Sequence, residues 1–173
     1  MNLIVAVDKN WGIGKDNSLL VSVPEDMKFF KEMTTGKIII MGRKTLESFP
    51  KKKPLPNRVN IVISRDKNYV VEGAIVVNSL EDAFNYVKNT YGEDKLRETF
   101  IIGGASIYEQ ALDYCEIAYV THIREEFEAD KYFPDIHDNE NWEMTRYEAK
   151  VSENGMNFAF AVYENLKISL CPT

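Results

Sequence analysis

The chain has 173 residues, 45% of them hydrophobic and 12% aromatic, so it can form one domain with a substantial core. Its 21 basic and 27 acidic side chains give a net charge of −6, and it therefore lacks the excess of Lys and Arg that binding to nucleic acids requires. It has no apolar stretch of membrane-spanning length, no basic leader, and only two histidines and two cysteines, so we expect a cytoplasmic protein with reduced cysteines, no metal and no membrane partner.

In chain order, short apolar runs rich in β-branched residues alternate with segments of helical periodicity. The predicted strands of this part are residues 3–7, 38–41, 59–63, 75–77 and 100–102, and the predicted helices are residues 24–34, 43–48, 79–89 and 105–112. Because the apolar runs lack strict alternation, they are typical of strands buried on both faces of a parallel sheet. Residues 9–23 are predicted to form a long loop, and a loop of that length is often a lid over a binding site.

The last part of the chain contains three predicted strands, residues 117–123, 142–147 and 157–163, without helices between them. Asn154 and Gly155 predict a hairpin turn between the last two. The sequence therefore predicts an α/β fold, with a mainly parallel sheet flanked by four main helices and an antiparallel C-terminal hairpin. The domain is predicted to span residues 1–167, with residues 168–173 as a loosely held tail.

Three predicted strands end in residues that suit a phosphate. Gly103-Gly104 follows one strand and opens a helix, which allows close approach of an anion but is equally compatible with tight packing. Arg43-Lys44-Thr45 and Ser64-Arg65 follow two others, and taken singly their cations are surface charges. Because carboxyl ends of parallel strands share one edge of a sheet, the three together indicate a phosphorylated nucleotide. Gly12-Ile13-Gly14 lacks the third glycine of a dinucleotide fingerprint, so we reject a Rossmann site.

Asp26 is an acid whose position admits two interpretations. It lies in the first turn of a predicted helix, where a favourable dipole interaction would account for it. Aromatic and apolar residues three, four and seven positions later place Asp26 on the apolar face of this predicted helix. A carboxylate in such surroundings needs a partner or a ligand. Arg58, beside a rigid Pro-Leu-Pro loop, is either a solvated cation or a receptor for a carboxylate. Tyr108 and Thr121, by themselves, are typical half-buried hydroxyls.

Together these segments resemble a known family. The chain contains, in order, Gly12-Ile13-Gly14, Pro24-Glu25-Asp26-Met27, Met41-Gly42-Arg43-Lys44-Thr45, Pro54-Leu55-Pro56-Asn57-Arg58, Ile102-Gly103-Gly104-Ala105-Ser106-Ile107-Tyr108 and Tyr119-Val120-Thr121-His122-Ile123. This set is similar to dihydrofolate reductase of the bacterial chromosomal type, over residues 2 to about 165. The resemblance implies an eight-stranded sheet, a monomer that binds dihydrofolate and antifolate inhibitors, and NADPH as the cofactor. It also implies reduction of 7,8-dihydrofolate to tetrahydrofolate by hydride transfer to C6 and protonation at N5, in support of one-carbon metabolism.

The resemblance also implies roles for individual residues. Asp26 would be catalytic, binding the pterin 2-amino group and N3–H, with a pKa raised by desolvation and with water as the direct proton donor. Arg58 would hold the glutamate α-carboxylate of the substrate. The other substrate-binding residues would be Ile4, Val5, Met27, Phe30, Phe49, Leu55, Ile102, Tyr108 and Thr121. The NADPH-binding residues would be Ala6, Ile13, Gly14, Leu19, Gly42, Arg43, Lys44, Thr45, Ser64, Arg65, Gly103, Gly104, Ala105, Ser106, Ile107 and Tyr108.

One departure from the family and two rival functions stand beside this interpretation. Where the family usually has Pro-Trp near the end of the lid, this chain has Leu20-Val21, which puts the water network normally held by the tryptophan in question. One rival is another reductase of the same fold, such as the reductase domain of riboflavin synthesis, and the other is a non-catalytic folate- or nucleotide-binding protein. Asp26 together with Arg58 favours folate, because the riboflavin reductase has no glutamate tail to hold.

Overall fold

A computed structural model describes residues 1–20 and 22–169 of the chain. Its strands are β1 (Asn2–Val7), β2 (Gly12–Gly14), β3 (Ile38–Gly42), β4 (Val59–Ile63), β5 (Ala74–Val77), β6 (Phe100–Ile101), β7 (Ile117–Ile123), β8 (Lys131–Tyr132), β9 (Trp142–Val151) and β10 (Asn157–Asn165). Its helices are α1 (Pro24–Thr34), α2 (Arg43–Glu47), α3 (Leu80–Tyr91), α4 (Glu93–Arg97), α5 (Ala105–Ala111) and α6 (Leu166–Ser169). None of the helices in the described ranges has the length and apolar character that crossing a membrane needs.

Eight of these strands form one sheet in the order β5-β4-β3-β6-β1-β7-β10-β9. The pairings from β5 to β7 are parallel, and β10 then pairs antiparallel with both β7 and β9. The predicted fold class is therefore confirmed, including its C-terminal hairpin. The short helices α4 and α6 were not among the predicted elements, since five and four residues are too few to show a helical period.

The apolar strands lack alternation because both faces of the sheet are covered. In β3, Ile38 and Ile40 pack into one core cluster with side chains of α3 and α5, whereas Ile39 and Met41 pack into a second cluster on the other face. Phe29 and Phe30 of α1 pack against that second cluster. As a result, α1 and the carboxyl ends of the central strands lie beside one another.

The predicted loop over residues 9–23 contains a strand that the sequence did not reveal. Strand β2 pairs antiparallel with β8, with Gly12 opposite Tyr132. The prediction of an unstructured segment is therefore wrong at Gly12–Gly14, because three residues carry no recognisable period and their partner is distant in the chain. Val21, which departs from the family pattern, lies outside the described residues, as does the tail beyond Ser169.

The predicted turn at Asn154 and Gly155 joins β9 to β10. The Ser152 amide donates to the Met156 carbonyl at 2.7 Å, and the Gly155 amide donates back to the Ser152 carbonyl at 2.8 Å. Gly155 has a φ of 85°, a left-handed conformation that glycine adopts without a steric penalty. The hairpin is held to α1 by Glu25, whose carboxylate accepts from the Ser152 hydroxyl at 2.6 Å and the Glu153 amide at 2.8 Å.

Candidate functional site

A cleft of about 810 Å³ opens at the carboxyl ends of β1 and β6, between α1 and the segment that follows α2. In the sheet, β6 lies between β1 and β3, so the connection from β1 to β3 crosses the position of β6. A change in strand order of this kind creates a crevice at the strand ends, where ligands bind. Ten of the predicted substrate residues line the cleft, namely Ile4, Val5, Asp26, Met27, Phe30, Phe49, Leu55, Arg58, Ile102 and Tyr108. Five predicted cofactor residues line it as well, namely Ala6, Ile13, Leu19, Thr45 and Tyr108.

Asp26 is the carboxylate that α1 contributes to this cleft. The hydroxyl of Thr121, a residue of β7 that is only 2% exposed, donates to Asp26 Oδ1 at 2.6 Å. Burial raises the pKa of Asp26, and the hydrogen bond from Thr121 opposes that rise. The expected upward shift is therefore confirmed, and Thr121 acts on the carboxylate without lining the cleft itself.

The hydroxyl of Tyr108 is fixed at the inner end of the cleft. It donates to the Ile4 carbonyl at 2.7 Å, which joins α5 to β1. Burial, followed by the charge of Asp26, raises the pKa of Tyr108, so the phenol stays neutral and remains a hydrogen-bond donor. The Ile102 amide donates to the Ile40 carbonyl at 3.0 Å and keeps the start of the Gly103-Gly104 segment against β3.

Arg58 provides a positive charge among the apolar side chains of the cleft. Its Nε donates to the Pro56 carbonyl at 2.9 Å, and its Nη1 donates to the Thr34 hydroxyl at 3.1 Å. Among residues 1–20 and 22–169 it makes no ion pair, although it is partly buried. The adjoining loop is rigid because the Asn60 side chain both donates to and accepts from Leu55. An anchored, uncompensated guanidinium of this kind is suited to binding a carboxylate.

The remaining predicted cofactor residues do not line the enclosed cleft. Gly14 lies in the small β2–β8 sheet. The other ten lie along the carboxyl edge of the main sheet, at or just after the ends of β3, β4 and β6: Gly42, Arg43, Lys44, Ser64, Arg65, Gly103, Gly104, Ala105, Ser106 and Ile107. The Gly42 amide donates to the Gly103 carbonyl at 2.9 Å, which joins two of these strand ends. The predicted convergence of the three strand ends therefore occurs, on a surface beside the cleft.

One of these strand ends has a backbone conformation that side chains other than glycine rarely adopt. A Cβ on Gly103 would lie 3.4 Å from the Thr45 hydroxyl and 3.4 Å from the Tyr108 ring, and the φ of Gly103 is 126°. The positive φ therefore favours glycine at this buried position. Arg43 lies 5.7 Å from the centroid of the Tyr69 ring and pairs with Glu47, so its guanidinium is held at this edge. These features fit the phosphates of a dinucleotide such as NADPH.

Comparisons with known proteins agree with this geometry. A family profile for dihydrofolate reductase matches residues 1–165. The chain belongs to the dihydrofolate reductase family. The dihydrofolate reductase of Bacillus subtilis (strain 168) is 39% identical over 166 residues, covering 95% of this chain and 94% of the relative. That of Neisseria gonorrhoeae is 42% identical over 164 residues, covering 94% and 96%. The structure of dihydrofolate reductase from Enterococcus faecalis, complexed with NADP(H) and RAB-propyl, matches with a TM-score of 0.83 at 32% identity, covering 95% of each chain.

Membership of the dihydrofolate reductase family confirms the predicted activity and cofactor. The chain is an NADPH-dependent oxidoreductase that reduces 7,8-dihydrofolate to 5,6,7,8-tetrahydrofolate. The family match also decides against the two rival functions, a riboflavin-pathway reductase and a non-catalytic binding protein.

Sequence reasoning missed thirteen residues that line the cleft: Val7, Asp8, Gly12, Ser18, Leu20, Ser22, Val23, Lys28, Lys31, Ser48, Pro50, Ile123 and Phe127. Lys28 and Lys31 were detectable in principle, because they lie three residues apart on the helix that carries Asp26. Phe127 had no local signal. It reaches the cleft because the Phe127 amide donates to Asp8 Oδ2 at 3.0 Å, a contact between residues far apart in the sequence.

Proposed function

We propose that Asp26 is the residue that orients the pterin ring and provides the charge that favours its reduction. Its two carboxylate oxygens would accept from the 2-amino group and N3–H of the pterin. What carries this proposal is an acid among apolar walls, in hydrogen-bond contact with Thr121 and with a pKa raised by burial. A carboxylate with that environment has a strong need for the donors that a pterin offers.

NADPH, when bound, supplies the hydride that the C6 carbon of the pterin accepts. The protein residues then have three tasks: to hold the ring, to exclude bulk water and to favour protonation at N5. Phe30, Phe49 and Leu55 would hold and shield the ring, and Met27, which is 57% exposed, would close the outer side. Asp26 would bind the ring far from N5, so its negative charge would favour the protonated substrate while a water molecule delivers the proton.

The two ends of the cleft would bind the glutamate tail of the substrate and the cofactor, respectively. Arg58 would hold the α-carboxylate of the glutamate tail, since it is anchored by Pro56 and Thr34 and lacks an ion-pair partner among the described residues. On the cofactor side, Ala6, Ile13 and Leu19 would contact the nicotinamide ribose, and residues 103–107 would take the pyrophosphate. Arg43, Lys44, Thr45, Ser64 and Arg65 would hold the adenosine end with its 2′-phosphate.

The decisive experiment is single-turnover hydride transfer by Asp26→Asn from acid to alkaline pH. The variant keeps the oxygen that accepts from Thr121 and loses only the charge, so the fold is expected to survive. We expect a large loss of rate at neutral pH that shrinks as pH falls, because protonation from solution replaces what the charge supplied. Glu32→Gln removes an exposed acid from the same helix and is the matched control. A constant ratio between mutant and native rates across pH would show that Asp26 only positions the ring.

We further propose that the chain acts as a cytoplasmic monomer whose folding unit is residues 1–167 and whose cleft also binds antifolates. The relative from Enterococcus faecalis, complexed with NADP(H) and RAB-propyl, supports the last point. Light scattering during size-exclusion chromatography tests the monomer, and the thermal stability of a chain ending at residue 167 tests the domain boundary. A dimer, or a loss of cooperative unfolding on truncation, would contradict the respective proposal.

A further inference from the structure

A second cleft, of about 310 Å³, lies behind the wall of the main cleft. Asp8 and Ile123 belong to the lining of both, so the two clefts share a wall. None of the residue roles proposed above uses the second cleft. Its volume stands at the lower end of the about 300–1,000 Å³ found for small-molecule sites, and it is roughly twice the 150 Å³ that encloses a benzene molecule. The second cleft therefore has room for one aromatic ring or two fused rings.

Much of the lining of the second cleft is aromatic. The rings of Trp11 and His122 meet edge to face, with centroids 5.1 Å apart and an interplanar angle of 85°. His122 Nε2 lies 2.9 Å from the Tyr163 hydroxyl, which fixes the imidazole in place. Tyr147 forms another part of the lining. Rings in a fixed arrangement favour a flat aromatic ligand, which can contact them by stacking and by edge-to-face packing.

Two positively charged side chains line this cleft alongside two acids. Lys9 and Arg124 line it, and among residues 1–20 and 22–169 neither makes an ion pair. Arg124 is 5.8 Å from the centroid of the Tyr147 ring, and its backbone amide donates to the Asn157 carbonyl, so its position is defined. His122 does not add charge at neutral pH, since burial, with His137 and Arg124 nearby, lowers the pKa of His122 to about 4.

The two acids of the second cleft are already engaged by backbone amides. The buried carboxylate of Asp8 accepts from the amides of Asn10, Gly12 and Phe127. Asp135 accepts from the two amides that follow it, at residues 137 and 138. Both carboxylates therefore have donors of their own, whereas within the described part of the chain neither cation has an ion-pair partner.

We propose that the second cleft is an effector site for a small aromatic carboxylate, which lowers turnover without competing with dihydrofolate. The ring would pack against Trp11 and Tyr147, and the carboxylate would bind Arg124 and Lys9. The coupling runs through a short segment: the Trp11 amide donates to the Asp8 carbonyl at 3.1 Å, and the next residue, Gly12, lines the main cleft. A ligand that packs on Trp11 stabilises the present conformation of this segment relative to its other conformations. Because the segment lies beside the main cleft, restricting its motion slows turnover.

The test uses 1-naphthoate as the probe and 1-naphthamide as its neutral counterpart of the same shape. Calorimetry is performed with the main cleft filled by NADP⁺ and folate, a pair that cannot react. We expect 1-naphthoate to bind with one-to-one stoichiometry and 1-naphthamide to bind at least about tenfold more weakly, since it lacks the charge. Binding that disappears when the main cleft is filled, or equal affinity for the two probes, would overturn the proposal.

Two arginine variants locate the probe. Arg124→Gln is expected to weaken 1-naphthoate about tenfold, while Arg97→Gln, an exposed arginine of α4 that also lacks an ion pair among the described residues, is expected to leave affinity unchanged. Without the probe, both variants should turn over like the native protein, which shows that they fold.

In steady-state assays 1-naphthoate should lower kcat and leave KM for dihydrofolate unchanged; a rise in KM alone would place it in the main cleft. The calorimetric arms need no turnover, so their failure is distinct from any failure of the roles proposed for Asp26 and Arg58.

Discussion

The hydrogen bond from Tyr108 to Ile4 allows a quantitative prediction about stability. Tyr108 is 5% exposed, and its hydroxyl donates to a carbonyl of the central strand β1 at 2.7 Å. Tyr108→Phe removes the donor and leaves the carbonyl of Ile4, a residue that is 6% exposed, without this partner. Leaving a buried acceptor without this partner costs about 1–3 kcal/mol of unfolding free energy. For a chain of this length each kcal/mol lowers Tm by about 2–4 °C, so we expect a decrease of roughly 2–12 °C.

Tyr132→Phe is the matched control for this prediction. Tyr132 makes the same kind of bond, from its hydroxyl to the Ala129 carbonyl at 3.1 Å, but it is 53% exposed. Water can replace the lost donor there, so the change in unfolding free energy should stay within about 0.5 kcal/mol. Urea unfolding at neutral pH measures both variants against the native protein, with the slope of the transition as a check on two-state behaviour. Equal losses in the two variants, or a Tyr108→Phe variant as stable as the native protein, would refute the reasoning from burial.

Three further predictions concern the charged groups of the site. Arg58→Leu should weaken dihydrofolate binding roughly tenfold to a hundredfold and leave both NADPH and a pterin without the glutamate unaffected, as measured by fluorescence titration; equal losses for the truncated and full substrates would make Arg58 structural. Changing Arg43 and Arg65 to Ser should weaken NADPH by roughly tenfold or more for each arginine and NADH little, and similar affinities of the native protein for the two cofactors would contradict this. Because burial raises the folded-state pKa of Asp26 above the ordinary value of 3.8, the stability that its carboxyl contributes is present below about pH 3.8 and is lost as pH rises through the raised pKa. Asp26→Asn should therefore gain stability relative to the native protein over that pH range and keep the gain at higher pH. Urea titrations at several pH values measure this, and a stability difference that does not change with pH would contradict the raised pKa of Asp26.

The sequence by itself determined the elements whose signal is local. The apolar runs of β1, β3 and β4 are continuous because helices cover both faces of the sheet, and the order of residues along the chain is enough to show that pattern. The helix predicted over residues 79–89 likewise matches the start of α3 at Leu80, where the Ser79 hydroxyl caps the helix by accepting from the Asp82 amide at 3.0 Å. Asp26 on the apolar face of α1 and the glycines after β6 likewise follow from spacing alone.

Only the tertiary structure decided which distant residues meet. The bond from Thr121 to Asp26 joins β7 to α1, and the contact between Glu25 and the β9–β10 hairpin spans more than a hundred residues of sequence. The local sequence around one partner does not indicate the other, because a hydroxyl or a carboxylate has the same sequence context whether its side chain faces water or a distant donor. Strand β2 was hidden for the same reason, since three residues become a strand only through pairing with β8. Composition and periodicity record how each segment is buried, whereas the pairing of polar groups across the fold depends on where the packed sheet brings them together.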